Sequence, residues 1–453
     1  MNRISCPRAG FCIRAFTPTI YDSLFTTHAS RIALVLFAAW SLQAQQPPAL
    51  TLQQAHEAAL KNHPRISVAD LRALAARQVT REAWAAYFPN ISGNVIAVGT
   101  KDENTRLAAI GGLNNPSIFE RNAEGITISQ LITDFGRTSN LAGTAKYRAR
   151  AEEDNAQATR EQILLEVDAA YFAALQAQSV ARVAEQTVAT RQSFLDQVTA
   201  LATNKMRSEL DVSFAQVNLE EGKLILSRAT NDQQAAFTQL STLMGMRQPE
   251  SYRLAEEPMP SELSTNVAGL VEEALRSRPD VLRMRNEREA AFKFARAEKA
   301  LNYPTISASA AAGVVPIRDS ALPANYAAAG VGLSLPIFAG GLYTARQKEA
   351  ALRAQASEQA LLDEENNVIR DVRIAWLNAQ NAFERLRITR QLLQNASRSF
   401  DLAQARYDNG VSSIVELNQA QLNKISAEIS DADTKYEYLL RRSALSFQTG
   451  TLH

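Results

Sequence analysis

Asp134-Phe135-Gly136 is the triplet with which protein kinases hold magnesium, and it is the sharpest catalytic motif in this 453-residue chain. No glycine-rich phosphate loop, strand lysine or catalytic loop accompanies it, so kinase chemistry is excluded. The local reading is structural: Gly136 permits a strand-to-helix bend, and Asp134 caps the N-terminus of the helix that follows. The histidines His56, His63 and His453 are too few and too scattered for a metal or acid-base site. His63 precedes Pro64 and reads as a helix stop. Carboxylates gather at two places, Glu209 with Asp211 and Asp408 with Glu416, where N-capping and first-turn charge account for them. No nucleophile-base pair, metal cluster or cofactor motif emerges, and the chain does not read as an enzyme.

The elements that must carry any function are long helices. The apolar fraction is 46% but the aromatic fraction only 7%, so much of the apolar content is alanine. Alanine-rich, charge-bearing stretches without glycine or proline form long helices that pack closely. A formal net charge of +1, without a basic stripe interleaved with aromatics, excludes nucleic acid as a partner. Arg31, the apolar run over 32–42 and the small Ala44 read as an export signal over residues 1–44, too short to serve as a membrane anchor. Cleavage after Ala44 removes four basic residues and one acidic residue, leaving 44 and 46 and a net charge of −2. It also removes Cys6 and Cys12, so neither a disulfide framework nor a cysteine zinc site is expected.

One plan is written twice. Asn62-His63-Pro64 corresponds to Ser277-Arg278-Pro279, and Tyr87-Phe88-Pro89 to Asn302-Tyr303-Pro304, both at an offset of 215. Further on the offset is 205: Gly125–Ser129 matches Gly330–Ser334, Ala170-Tyr171 matches Ala375-Trp376, and Gly245 matches Gly450. Residues 117–248 and 337–453 contain no proline, which a helix interior tolerates only at about 3 kcal/mol. Within the first stretch small apolar residues recur at a 4-3 spacing from Ile163 through Val167, Ala170 and Ala174 to Val198 and Ala202. Shifted by 205, the same spacing runs from Val368 to Tyr407, and only Arg191 and Thr389 break it. A 3.5-residue repeat implies coiled-coil packing, with alanine letting the helix axes approach closely.

Four segments between the helices alternate, or carry small side chains, over about ten residues, the length of a tilted membrane strand: 90–100, 125–133, 304–315 and 326–336. The pairs bracket turn residues at 101–105 and 316–320. Four strands cannot close a barrel with a usable lumen, and open edges do not survive in lipid, so several subunits must share one barrel; three would supply twelve strands.

These features together resemble the outer membrane efflux protein family over residues 50–450. The motifs that carry the resemblance are Leu50–Pro64 with its echo Val271–Pro279, Tyr87-Phe88-Pro89-Asn90 before the first strand, Asp134–Arg137 after the second, and Tyr407–Leu417. The resemblance implies a mainly α fold with a small membrane β-barrel: a homotrimer in which a twelve-stranded β-barrel is continuous with a twelve-helix α-barrel, with two internal structural repeats per chain. It implies an outer-membrane exit duct for a tripartite efflux or type I secretion system, docked to a periplasmic adaptor (membrane fusion) protein and an inner-membrane pump of the RND or ABC type. On this reading a first repeat spans 45–245, a linker and equatorial segment 246–280, and the rest of the second repeat 281–453. Helices are expected at 67–87, 138–203, 208–244, 281–302, 342–408 and 413–448, with short ones at 51–61 and 267–277 in a belt. The family's periplasmic gate has an aspartate and a tyrosine where Asp211 and Tyr407 stand, joined across the tip, and an arginine where this chain has Ser412. Glu416 and Gln419 stand at the family's ring of constriction carboxylates, one kept and one replaced by an amide. The resemblance further implies that Met206, Arg207, Ser208, Gly410, Val411 and Ser412 form the helix-turn tip that contacts the adaptor.

A periplasmic coiled-coil scaffold or adaptor is the competing class. It would carry a compact β-domain interrupting one helical hairpin, whereas this chain has two hairpins and two strand pairs. Deleting residues 31–44 should trap the chain in the cytoplasm; its normal recovery from the outer-membrane fraction would refute the export signal.

Overall fold

The computed structural model describes residues 49–98, 121–248, 252–259, 263, 265–317 and 323–452. The expected export signal, the turn at 101–105 and His453 lie outside them. The first run of elements is α1 (Leu52–Asn62), α2 (Pro64–Ala85), β1 (Asn90–Val98), β2 (Arg121–Thr133), α3 (Arg137–Thr203) and α4 (Glu209–Leu243). The second is α5 (Val267–Ser277), α6 (Pro279–Lys299), β3 (Thr305–Ile317), β4 (Asn325–Ser334), α7 (Leu342–Asp408) and α8 (Ile414–Thr449). No described helix is long and apolar enough to cross a membrane.

Helices α3 and α7 have 67 residues each, about 100 Å at 1.5 Å per residue. None of their seam positions is exposed, and Ile163, Val167, Ala174, Val198, Val368, Val372 and Ala379 are almost fully buried. The two residues that break the spacing are satisfied across the helix pair. Arg191, buried against Gly222, donates through Nη1 to the Asn218 carbonyl of α4. The Thr389 and Thr434 hydroxyls lie 2.7 Å apart between α7 and α8. A buried polar group is tolerated where its partner is built in.

Pro64 and Pro279 sit at the first position of α2 and α6. Pro64 therefore starts a helix as much as it ends one, because its missing N–H is not needed there. Chain reversals match in the same way. Gly245 and Gly450 both take left-handed conformations, φ 76° and 69°. A Cβ on Gly245 would lie 2.7 Å from the Asn62 carbonyl oxygen, and one on Gly450 3.0 Å from the Ser277 hydroxyl. Each glycine thus lets the end of a long hairpin press against the joint between two short helices.

The four strands form one antiparallel sheet in the order β1-β2-β3-β4. The β1–β2 register pairs Ile91 with Ile128 and Ser92 with Thr127, and the β3–β4 register pairs Ala308 with Val331 and Ser309 with Gly330. Because Ile128 faces Ala310 and Ser129 faces Ser309 across β2–β3, one face carries Ile91, Val95, Ile126, Ile128, Val331 and Leu333. The other carries Ser92, Asn94, Thr127, Ser129, Ser307 and Ser309, with the Ser92 and Thr127 hydroxyls 2.6 Å apart. The alternation of side chains dictates this division. Strand β2 begins four residues earlier than its alternation suggests, since Arg121–Glu124 are carried into the sheet by pairing with Val95–Val98. Strand β3 continues through Pro316, past its last pair with β4 at Val314 and Asn325, where a missing N–H breaks no rung.

The largest core lies beside the middle of α3, where Ile163, Tyr171, Leu175, Phe237, Met244 and Leu254 pack together. Tyr171 is fully buried with its hydroxyl 2.8 Å from the Leu50 carbonyl and 2.7 Å from that of Ala255. These residues flank the parallel bridge between Leu50 and Leu254, so one phenol ties both extended segments to α3. Burial and the nearby Glu257 charge push the phenol's pKa up, and it remains a donor. Tyr171→Phe should lower stability by about 1–3 kcal/mol through the stranded carbonyls, seen as a lower thermal unfolding midpoint.

Candidate functional site at the helix-turn tips

Two turns, α3 to α4 and α7 to α8, bring the predicted site residues to one end of the helical layer. Both are built alike at the offset of 205. The Met206 N–H donates to the Leu201 carbonyl and the Val411 N–H to that of Arg406, each at 2.9 Å, closing the long helix with a left-handed residue just before. That residue is Lys205 (φ 58°) in the first turn and Gly410 (φ 72°) in the second. The next helix is capped by Ser208 or Ser413.

Asp211 belongs to the first cap. Its N–H donates to the Ser208 hydroxyl and its carboxylate accepts from the Ser208 N–H, both at 3.2 Å. The two residues form a capping box. Tyr407 is only 3% exposed, within a cluster of Ala403, Ile414, Leu417 and Ala420 flanked by Phe194 and Phe400. Its hydroxyl has no hydrogen-bond partner. The expected bond from Tyr407 to Asp211 is not formed among the described residues; the Asp211 carboxylate accepts instead from the Ser208 N–H of its own cap. Burial raises the phenol's pKa, opposed by the Arg207 charge.

Arg207 was expected only as a tip residue, yet it makes the contact that joins the two turns. Its guanidinium carbon lies 4.2 Å from the Tyr407 ring centroid, and its Nη2 donates to the Tyr407 carbonyl at 2.9 Å. The signal was present in the numbering, since Arg207 is the repeat counterpart of Ser412. The Ser412 hydroxyl oxygen is buried without a partner. Glu416 pairs with Arg406 at 3.2 Å, a cation that the sequence reading overlooked, and Gln419 donates to Asn423 at 3.0 Å. Met206 and Val411 stand 71% and 68% exposed at the apex, with Leu210 and Val415 one turn behind.

Away from the tips, Asp134 and His56 each have partners within the chain. Asp134 accepts from the Thr138 N–H at 2.6 Å and its hydroxyl at 2.5 Å, and from the Gly136 N–H at 3.2 Å, which is the capping role. His56 Nε2 lies 2.5 Å from the buried Asp168 carboxylate. Among the described residues no group of three or more His, Cys, Asp or Glu side chains could hold a metal.

The model of the outer membrane efflux protein family matches this chain twice, over residues 55–246 and 270–451. The chain belongs to the outer membrane efflux protein family. It is 23% identical over 354 residues to the outer membrane protein TolC of Escherichia coli, covering 74% of this chain and 72% of TolC. It is 24% identical over 391 residues to the outer membrane protein OprJ of Pseudomonas aeruginosa, covering 84% and 80%. Among solved structures, VceC from Vibrio cholerae superposes with a TM-score of 0.74 at 20% identity, over 88% of this chain and 96% of that one. The protein is an outer-membrane channel of the efflux type, and the scaffold or adaptor class is not favoured.

Lys205 holds a conformation that costs a residue with a Cβ about 1 kcal/mol. Lys205→Gly should raise the thermal unfolding midpoint, whereas Gly410→Ala should lower it.

Proposed function

We propose that three copies of this chain close into one twelve-stranded β-barrel continuous with a twelve-helix tunnel, each copy contributing two structural repeats. The assembly would be a passive exit duct, without catalysis, for substrates handed over by an inner-membrane pump through a periplasmic adaptor. The observation that carries this reading is that every layer of the chain is an arc with two open edges. The strands run β1-β2-β3-β4, and the helices pack in the orders α2-α3-α6-α7 and α4-α3-α8-α7.

Among the described residues, the end helices carry apolar side chains with no partner. Val68, Leu71 and Val79 are exposed on α2, Leu210, Phe214, Val217 and Leu224 on α4, and Ile388, Leu392 and Leu402 on α7. The last two sets keep the 3-4 spacing of a coiled-coil seam, which supports pairing of α7 with the α2 and α4 of a second copy. At the helical end of the sheet, Trp84, Phe88, Phe135, Tyr303 and Phe338 are exposed. Such a girdle suits a membrane interface, with the apolar face of the sheet towards lipid and the hydroxyl-lined face towards the lumen.

The relatives support the partners. One is named as the outer membrane protein of a solvent efflux pump of Pseudomonas putida. The exposed Met206, Leu210, Val411 and Val415 are the surface proposed to meet the adaptor. Asp211, Tyr407 and Ser412 are assigned to the periplasmic gate and Glu416 and Gln419 to the constriction, with one carboxylate per copy.

Native mass spectrometry in detergent should read three copies, and planar bilayers should show a channel. Leu392→Asp with Leu402→Asp should yield a folded monomer. A wild-type monomer would overturn the proposal.

A further inference from the structure

We propose that the helix ends beside the sheet carry a cationic belt that binds the anionic phospholipid headgroups of the membrane leaflet on that side. The proposal rests on the reading of the sheet as a membrane barrel and adds to it which lipid the chain selects. In the last two turns of α6 before the sheet stand Lys293, Arg296 and Lys299, and in the first two turns of α7 after it Arg346 and Lys348. Arg81 on α2 and Arg137 on α3 hold the matching places. These four seven-residue stretches carry seven basic residues and two acidic ones, Glu82 and Glu298, of which Glu298 is buried. The four stretches of equal length at the tips, on α3, α4, α7 and α8, carry one basic residue, Arg406, and four acidic ones. The excess of cations therefore belongs to the sheet end.

A run of surface charge is ordinarily met by its own carboxylates or by salt, and here the carboxylates are missing. Among the described residues, the ion pairs of α6 and α7 nearest the sheet are those of Arg288 with Glu289 and Glu358 and of Arg353 with Glu349. Lys293, Arg296, Lys299, Arg346 and Lys348 lie between those pairs and the sheet and make none, and all but Lys293 are exposed. The belt also adjoins the aromatic girdle: Arg81 is three residues from Trp84, Lys299 four from Tyr303 and Arg346 eight from Phe338. Two helical turns span about 10 Å, and the headgroup layer beyond the hydrocarbon is roughly 5–8 Å thick. Long basic side chains that stretch along the wall therefore put their charges at phosphate depth. Like charges set around one rim repel one another, and fixed anions relieve that repulsion. An anionic surface favours each such cation by a factor of about five in binding, a gain that zwitterionic headgroups, with no net charge, do not offer.

The test uses the full-length protein in vesicles of phosphatidylcholine with or without phosphatidylglycerol, with Trp84 as the reporter. Trp376→Phe removes the other tryptophan outside the expected export signal, and phospholipids brominated in their acyl chains quench Trp84 on contact. Brominated phosphatidylglycerol should quench with an association constant about fivefold or more above that of brominated phosphatidylcholine, and about 0.5 M salt should bring the ratio near one. Arg296→Gln, Lys299→Gln, Arg346→Gln and Lys348→Gln together should do the same, whereas Arg296→Lys with Arg346→Lys should keep the ratio. Arg398→Gln, which removes an exposed charge far along α7, should leave it unchanged. A wild-type ratio of one with strong quenching by both lipids overturns the belt and leaves the channel reading standing. A ratio that survives the four Gln substitutions also overturns it, and a shifted reversal potential of the channel in a salt gradient would then place those charges on the lumen. Quenching by neither lipid sinks the channel reading, and the belt with it.

Discussion

Among the described residues, strands β1 and β4 each leave a row of backbone N–H and C=O groups without a partner, and in a membrane barrel hydrocarbon would offer no water to take their place. Every layer below inherits that condition. The helices are continuous with the strands, so the order of the sheet becomes the order of the wall, and the apolar faces left on α2, α4 and α7 fall at the same two edges. The proposed copies would complete the outermost elements of such a chain, and closure on three of them would meet the condition in sheet and wall with one symmetry operation.

Alanine makes the wall possible. Helices that run for 67 residues side by side need small seam residues if their axes are to stay close, and Ala174, Ala181, Ala184, Ala379, Ala382 and Ala403 supply them. The departures are as informative. Arg191 is buried, and desolvation lowers its pKa, yet its guanidinium reaches the backbone of α4 over Gly222. Its counterpart Ala396 is a plain seam residue. The first hairpin thus has a polar tie at a position where the second has none, the second being tied elsewhere through Thr389 and Thr434.

The long helices were legible because their signal is repeated many times: a proline-free stretch and a seam of twelve positions leave little room for another reading. Strand ends were less so. Arg121–Glu124 have no strand character of their own and join the sheet through their partners on β1, and cross-strand pairing is invisible in one segment read alone. At the tip, residue types pointed to Tyr407 and Asp211, but the Asp211 carboxylate accepts from its own helix cap instead. Arg207 was missed as the contact between the two turns because stacking on a ring 200 positions away leaves no periodic trace. Only the duplication could have exposed it, by setting Arg207 against Ser412.

A gate must be firm enough to stay shut and weak enough to be opened by a partner, and if the tip is the gate proposed above its interactions have a suitable size. The exposed pair of Arg406 and Glu416 is worth about 0–1 kcal/mol in water. A partly desolvated cation-π contact such as that of Arg207 on Tyr407 is worth about 1–2 kcal/mol. On the proposed trimer, three contacts of that strength would total roughly 3–6 kcal/mol. Shifting a two-state equilibrium from 1:99 to 99:1 takes about 5.5 kcal/mol of differential binding, so a protein partner that prefers the open tip can supply the difference.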